Sequence, residues 1–263
     1  MSEQFDASIR FPDEDLPEGA VVDGEVLTED VDEEFDFVVI GSGASGAIAA
    51  HTLTHAGFTV GILEEGPWVK TREFSEVVFD AFKRMFRDAG TQVLEGHSYM
   101  PHIQGSCVGG STVMNSAIAW RTPEDVVDDW SKSFGLSGVV SMAALEHDLN
   151  VHAVLDDALG ENNRLFLEEG DRAGIHPTRM RRYERDCKGT GRCMTGCPNA
   201  AKQGMSVTYI PWALATGRAR IFTSCRAEKV EITGGRATGV RARTTSTVRG
   251  RATNRRVHLR ADV

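Results

Sequence analysis

Apolar positions along the front of the chain fall into short blocks rather than long alternations. Phe35 to Ile40 (FDFVVI) is a nearly continuous apolar run, the pattern of a strand buried on both faces of a parallel sheet. A glycine-rich turn follows, then AIAAHTLTHAG, a small-residue helix that Gly57 is placed to end as a C-terminal cap. Phe58 to Leu63 (FTVGIL) repeats the buried-strand pattern. Strand, helix and strand in this order predict a right-handed crossover onto a parallel sheet, so the fold class is α/β.

Further along, the period becomes helical. Phe74, Val77, Val78, Ala81, Phe82, Met85 and Phe86 form an apolar stripe that predicts a helix over 73–89, closed by Gly90. Thr122-Pro123-Glu124-Asp125 reads as a helix start running to about Ser133, with Thr122 as cap, Pro123 in the first turn and acids at the positive end of the dipole. Ser141 and Asn162 open two more polar helical segments. Arg179 to Gln203 is rich in Cys, Gly and charge, has no clear period, and reads as an excursion from the main sheet. Strand-like runs at 230–232 and 238–242 flank Gly234-Gly235, a hairpin signal. No uninterrupted apolar run approaches the roughly 18 residues of a membrane-spanning helix, so none is expected.

Charge changes the picture at both ends. A net charge of −9 argues against a nucleic-acid partner. Residues 1–34 carry many acids and one base, Arg10, and read as a solvated, poorly ordered tail that leaves 35–263 as the folded domain. Near the other end, Arg241, Arg243, Arg249, Arg251, Arg255, Arg256 and Arg260 face only Asp262, which reads as an exposed hairpin with charged outward positions. No basic region followed by an apolar stretch opens the chain, so no secretory signal and a cytoplasmic location are expected. The odd count of five cysteines argues against a disulfide framework.

The chemistry begins at Gly41-Ser42-Gly43-Ala44-Ser45-Gly46, which follows the first strand and opens the first helix. Gly41 permits the tight turn, Gly43 lets a pyrophosphate approach the backbone, and Gly46 lets the helix pack on the strand. Phosphates would then rest on free backbone N–H groups at the positive helix end. Glu64 closes the second strand about 20 residues on, where the ribose hydroxyls of a dinucleotide belong, and Glu65 is its neighbouring candidate. These residues do not by themselves separate FAD from NAD. A second glycine-bearing stretch begins at Gly105 and continues as GGSTVMNSAI from Gly109 to Ile118. Its paired glycines, hydroxyls and Asn suit another wall against a pyrophosphate or flavin ring.

This stretch closely resembles the flavin signature of the glucose-methanol-choline (GMC) oxidoreductases. The similarity continues in LEEGP, in CKGTGRCMTGCPNAAKQGMSVTYIPWALATG and in ARIFTSCRAEKVEITGGRATGV, so it spans roughly Phe35 to Val240. It implies a Rossmann-like FAD-binding fold of the GMC type with an inserted helical, cysteine-bearing lobe, and a C-terminal half missing from this chain. By the resemblance, Ala44 and Ser45 lie against the FAD pyrophosphate and Glu64 holds the adenosine ribose. Gly110, Ser111, Asn115, Ser116 and Ile118 line the pyrophosphate and ring, and Val230 meets the adenine through its backbone. Some family members attach flavin to a His just before the Asn; Met114 stands there, so the FAD is expected to be non-covalent. Ser106 and Cys107 stand where the signature commonly has a basic residue.

Cys187, Cys193 and Cys197 have a spacing that could wrap one metal centre. The same spacing resembles that of FAD-dependent sugar dehydrogenases of the family, in which three cysteines carry an iron–sulfur cluster. Zinc, or a plain loop with free or paired thiols, are the other readings, while Cys107 and Cys225 are read as small core residues. The family's catalytic His lies in the C-terminal half, and none of the eight histidines here matches its motif; His97 and His102 are not assigned as the base. The resemblance implies oxidation of a small-molecule alcohol by hydride transfer to flavin. It also allows a partner chain bearing the C-terminal half, an electron acceptor for the onward step, or a FAD-binding module inactive alone. No second nucleotide fingerprint supports an NAD(P)H-using reductase.

Overall fold

The computed structural model describes residues 11–136, 142–245 and 252–261. The chain forms two units, one comprising residues up to Asn115, Arg192–Ala200 and everything from Gly204, the other Ser116–Gly191 with Ala201–Gln203. In chain order the strands are β1 (Val21–Asp23), β2 (Val31–Phe35), β3 (Phe37–Ile40), β4 (Val60–Leu63), β5 (Val93–Leu94), β6 (Met100–Pro101), β7 (Val151–Ala153), β8 (Arg181–Tyr183), β9 (Ala219–Thr223), β10 (Cys225–Thr233), β11 (Arg236–Thr245) and β12 (Ala252–Ala261). The helices are α1 (Ala44–His55), α2 (Val78–Met85), α3 (Glu124–Phe134), α4 (Met142–Asp148), α5 (Asp156–Leu159), α6 (Glu161–Arg172) and α7 (Tyr209–Ala215).

In the first unit a parallel sheet runs β1-β9-β4-β3, and a second sheet runs β10-β11-β12-β2. The predicted crossover is present, with α1 carrying the chain from β3 to a parallel β4. The apolar run FDFVVI behaves differently from its prediction. It breaks at Asp36, so that Phe35 ends β2 in one sheet while Phe37–Ile40 forms β3 at the edge of the other. Asp36 fixes the break, because its Oδ2 accepts bonds from the Thr59 N–H at 2.7 Å and hydroxyl at 2.8 Å. β4 is the strand buried along its whole length, as its unbroken apolar sequence requires.

The two sheets share a core of Phe35, Leu63, Phe222, Val240, Val257 and Leu259. Full burial of a side chain of this size contributes roughly 1.5–3 kcal/mol each. Gly61 makes their approach possible, since a Cβ there would fall 2.7 Å from the Phe35 ring and 3.0 Å from a Leu259 methyl. The hairpin expected at Gly234-Gly235 joins β10 to β11, with both glycines at positive φ (59° and 82°).

The acidic front is not a bare tail from Phe11 onward; residues 1–10 lie outside the described residues. β1 pairs with β9, β2 pairs with β12, and the buried Asp13 carboxylate accepts the Thr71 N–H at 2.7 Å. The acids are held by the arginines of the other end. Arg256 meets Asp30 at 2.9 Å, and Arg260 meets Asp32 at 2.8 Å and Glu34 at 3.1 Å. The basic stretch is thus an ion-paired strand, with Arg241 on Glu231 and Arg243 on Glu228 across the hairpin. Arg249, Arg251 and Asp262 fall outside the described residues.

Helix α1 packs on α7 through its small face, with Ala47 and Ala50 fully buried and the His51 ring edge-on to Tyr209 at 5.0 Å. Gly57 follows α1 at φ 97°, as expected of a terminating glycine. The helix predicted over 73–89 is shorter: Thr71–Glu73 is a separate 3-10 turn, and α2 ends at Met85. Phe86 turns to extended backbone and bridges Gly105, because the Met85 carbonyl is taken by the Ser106 N–H at 2.7 Å.

The second unit is the helical lobe, built from α3 to α6 and the short antiparallel pair β7–β8. α3 starts at Glu124 with Pro123 in the cap position, so Thr122 does not cap it, and Gly135 ends it in the left-handed region. α4 begins at Met142, with Ser141 outside the described residues, and the helix expected at Asn162 begins at Glu161. The cysteine-bearing stretch is divided, Cys187 belonging to this unit and Cys193 and Cys197 to the first. Among the described residues no helix is long and apolar enough to cross a membrane.

Candidate functional site

The site grows from the turn between β3 and α1. Gly41 takes φ 88°, reserved for glycine, and its N–H donates to the Leu63 carbonyl at 2.7 Å, which ties the turn to the end of β4. A Cβ on Gly46 would lie 2.0 Å from the Gly41 carbonyl oxygen, so only glycine lets α1 start this close to the strand. Gly43 differs from Gly46, since a Cβ on it would meet nothing within 4 Å. The requirement for glycine there comes from space the protein itself leaves open. Gly43 caps α1 without a side-chain bond, and the first turn of α1 carries no acid. The leading N–H groups of a 12-residue helix are therefore left for an anion.

Glu64 is the keystone of the floor. Its Oε2 accepts the Ser42 hydroxyl at 2.6 Å and the Ser42 N–H at 2.9 Å, and its Oε1 accepts the Gly66 N–H at 2.9 Å. The Ser42 hydroxyl oxygen in turn accepts the Gly109 N–H at 3.1 Å. One carboxylate and one hydroxyl thus stitch the first glycine turn, the end of β4 and the second glycine turn together. Burial raises the Glu64 carboxyl above its usual range, the donors of Ser42 and Gly66 hold it back, and the charge of Glu65 adds to the rise. Gly66 is needed because a Cβ there would fall 2.1 Å from the Ser106 carbonyl oxygen.

The second turn closes against the first. Gly109 and Gly110 both take positive φ, and a Cβ on Gly110 would lie 3.1 Å from the Gly43 Cα. The Ser111 hydroxyl accepts the Gly105 N–H at 3.0 Å, and the Thr112 hydroxyl donates to the Gly109 carbonyl at 2.6 Å. Between the two turns lies a cleft of about 430 Å³.

Of the residues predicted from sequence, the cleft gathers Gly41, Gly43, Ala44, Glu64, Glu65, Gly110 and Ser111. Ser45 lies exposed on the first turn of α1, and Gly46 serves packing. Asn115 ends its segment of the first unit, while Ser116 and Ile118 belong to the second, where Ile118 bridges Arg182. Val230 is not among the lining residues; it pairs with Val240 further along β10, beyond an irregularity between Ala227 and Lys229. The wall there is made by Cys225, Arg226 and Ala227. Cys225 is a neutral thiol, pushed up to about 12 by burial and then by Asp23, so it offers no nucleophile.

Sequence reasoning also missed Arg87 and Gln104. Both belong to a stretch without a motif, and only the extended backbone after Met85 brings them to the cleft. Met114 is buried in an apolar cluster with Val69, Met85, Phe86 and Val113. Among the described residues no three His, Cys, Asp or Glu side chains form a group able to hold a metal, and none of the five cysteines is in a disulfide. The metal-centre reading of Cys187, Cys193 and Cys197 therefore gains nothing from the structure.

Comparison with known proteins agrees with this geometry. The sequence model of the family named GMC oxidoreductase matches residues 35–261. An uncharacterised GMC-type oxidoreductase, y4nJ, of Sinorhizobium fredii is 36% identical over 216 residues, covering 80% of this chain and 43% of that relative. The long-chain-alcohol oxidase FAO1 of Arabidopsis thaliana is 28% identical over 202 residues, covering 75% of this chain and 26% of its own length. Among solved structures, pyridoxine 4-oxidase from Mesorbium loti shares the fold at TM-score 0.60 and 13% identity, covering 86% of this chain and 48% of that one. An FAD-dependent oxidoreductase from Chaetomium thermophilum does so at TM-score 0.59 and 16% identity, covering 87% and 44%. The chain therefore spans less than half the length of these relatives.

Proposed function

This chain belongs to the GMC oxidoreductase family, and on that premise we propose that it is the FAD-holding part of an enzyme that oxidises CH–OH groups of a small-molecule alcohol. One observation carries the reading: two glycine turns face each other at Gly43 and Gly110, over a floor tied by Ser42 and Glu64. The open space above Gly43, beside an acid-free helix start, has the shape and polarity for a diphosphate. In this reading the leading amides of α1 hold the diphosphate. Glu64 has about four lone-pair sites, three of them taken by Ser42 and Gly66, which leaves one for a ribose hydroxyl. Ala227 replaces Val230 as the candidate wall for the adenine.

Ser111, with Asn115, Ser116 and Ile118 by family resemblance, is assigned to the flavin end, and Met114 lacks the nucleophilic nitrogen a covalent link would need. When bound, the flavin would supply the hydride acceptor. No catalytic base is assigned within this chain, since neither His97 nor His102 lines the cleft. The alcohol substrate is supported by the long-chain-alcohol oxidase relatives.

Purified protein incubated with excess FAD and then desalted tests the proposal by its visible absorbance. Retained flavin is the expected result, and bleaching on anaerobic addition of an alcohol would add a proton acceptor within this chain. Retained flavin without bleaching would leave a binding module only, and protein that stays colourless would reject the reading.

A further inference from the structure

Among the described residues lining the cleft, the cations are Arg87 and Arg226. Arg226 is exposed on β10, whereas Arg87 is built into the wall. Its N–H donates to the Gln104 carbonyl at 2.9 Å, and the preceding residue, Phe86, bridges Gly105 and stacks on Phe82 with ring centroids 4.2 Å apart. After Arg87 the backbone turns sharply, with Asp88, Ala89 and Gly90 all at positive φ (49°, 52° and 74°). Two of these are not glycine, a strained arrangement that proteins keep where the position of a neighbouring group matters. Arg87 is thus locked beside Gly105 and Ser111, on the same wall as the second glycine turn.

The guanidinium is only partly satisfied. One terminal nitrogen is ion-paired with Glu65 Oε1, which also accepts the Ser106 hydroxyl at 3.1 Å. Its Nε is buried and has no hydrogen-bond partner. Glu65 is itself in the lining and, with Ser106, orients the fork while leaving that N–H unspent. A guanidinium presents its donors in a rigid plane that matches phosphate oxygens.

We infer that Arg87 is a diphosphate ligand of this cleft, held in place by Glu65 and Ser106. The inference rests on the dinucleotide reading of the site and adds a residue outside both glycine turns. It also gives Glu65 a role other than holding ribose: it positions the arginine.

The test compares ADP with adenosine by calorimetry on the flavin-stripped protein, in wild type and in R87Q, so that no catalytic readout is needed. Wild type is expected to bind ADP more tightly than adenosine. R87Q should lose about tenfold or more of ADP affinity, the effect of one charge-assisted bond, with adenosine unchanged. Unchanged ADP affinity, or equal losses for both ligands, would overturn the inference while leaving the site reading intact. A wild type that binds neither ADP nor FAD would sink the site reading and this inference with it. Should R87Q fail to fold, R87K carries the same comparison: an ammonium keeps the charge without the fork, so ADP should weaken measurably and adenosine should not.

Discussion

At the scale of single residues, two glycines in one turn do opposite jobs. Gly46 is required by the protein, because a Cβ would collide with the backbone carbonyl of Gly41 at 2.0 Å. Gly43 is required by what the cleft takes in, because a Cβ would touch no protein atom. Gly46→Ala is therefore expected to destabilise the flavin-free protein by about 1–3 kcal/mol or more, measured by urea unfolding. Gly43→Ala should leave that midpoint within about 0.5 kcal/mol and still weaken FAD binding at least tenfold; an undiminished affinity would remove the diphosphate from above this turn.

Glu64 adds a pH signature at the same scale. Its folded carboxyl binds a proton more tightly than the unfolded one, whose value lies near 4.5. Between 4.5 and the raised folded value, the folded state keeps a proton that the unfolded state has lost. Stability from this group therefore falls as pH rises through that window. Thermal melts of wild type and Glu64→Gln at stepped pH should show the wild-type advantage shrinking as pH rises from 4.5; an advantage that grows would mean that the donors of Ser42 and Gly66 outweigh burial.

Sequence alone made the glycines and Glu64 legible, because each has a fixed distance along the chain from the first strand. Arg87 and Ala227 were not legible, since one depends on where α2 stops and the other on an irregularity in β10.

At the scale of elements, the helical stripe from Phe74 to Phe86 illustrates the limit of periodicity. The apolar positions are helical in spacing, yet the carbonyl of Met85 is used by Ser106, and the chain leaves the helix to build a wall. A local pattern cannot register a competing bond from a residue 21 positions away. The break at Asp36 has the same origin, a pairing with Thr59 that hydropathy does not see. The crossover, the buried β4 and the hairpin at Gly234-Gly235 were all readable, because their signals are local. The contact between the sheets yields a further expectation. Gly61→Ala would press a methyl into the Phe35 ring and Leu259, and should cost about 1–3 kcal/mol in a denaturation experiment. Asp32→Asn, which removes an exposed partner of Arg260, should cost less than Gly61→Ala, and less still at high salt. Reversal of that order would mean that the surface pairs, and not the shared core, hold the second sheet.

At the scale of the whole molecule, cleft and core are coupled through one network. Glu64 N–H bonds to the Phe222 carbonyl of β9, its carboxylate binds the first glycine turn, whose Ser42 hydroxyl reaches the second at Gly109, and Leu63 beside it belongs to the inter-sheet core. A ligand that holds these turns together should stabilise the fold by mass action, by about 2.7 kcal/mol at a hundredfold excess over Kd. Calorimetric melts with increasing FAD should rise accordingly, and riboflavin, which lacks the diphosphate, should raise them much less.

The pairing of β2 with β12 has a further consequence for how the protein comes into being. Val31 and Val257 are register partners, so a ribosome must make more than two hundred residues before β2 finds its neighbour. Until then β2 is a bare strand edge, the kind of surface on which nascent chains stick to one another. Its acids, Asp32, Glu33 and Glu34, then act as a repellent coat during synthesis; Glu33 is met by Arg220 of β9, and Asp32 and Glu34 are neutralised only when Arg260 of β12 arrives.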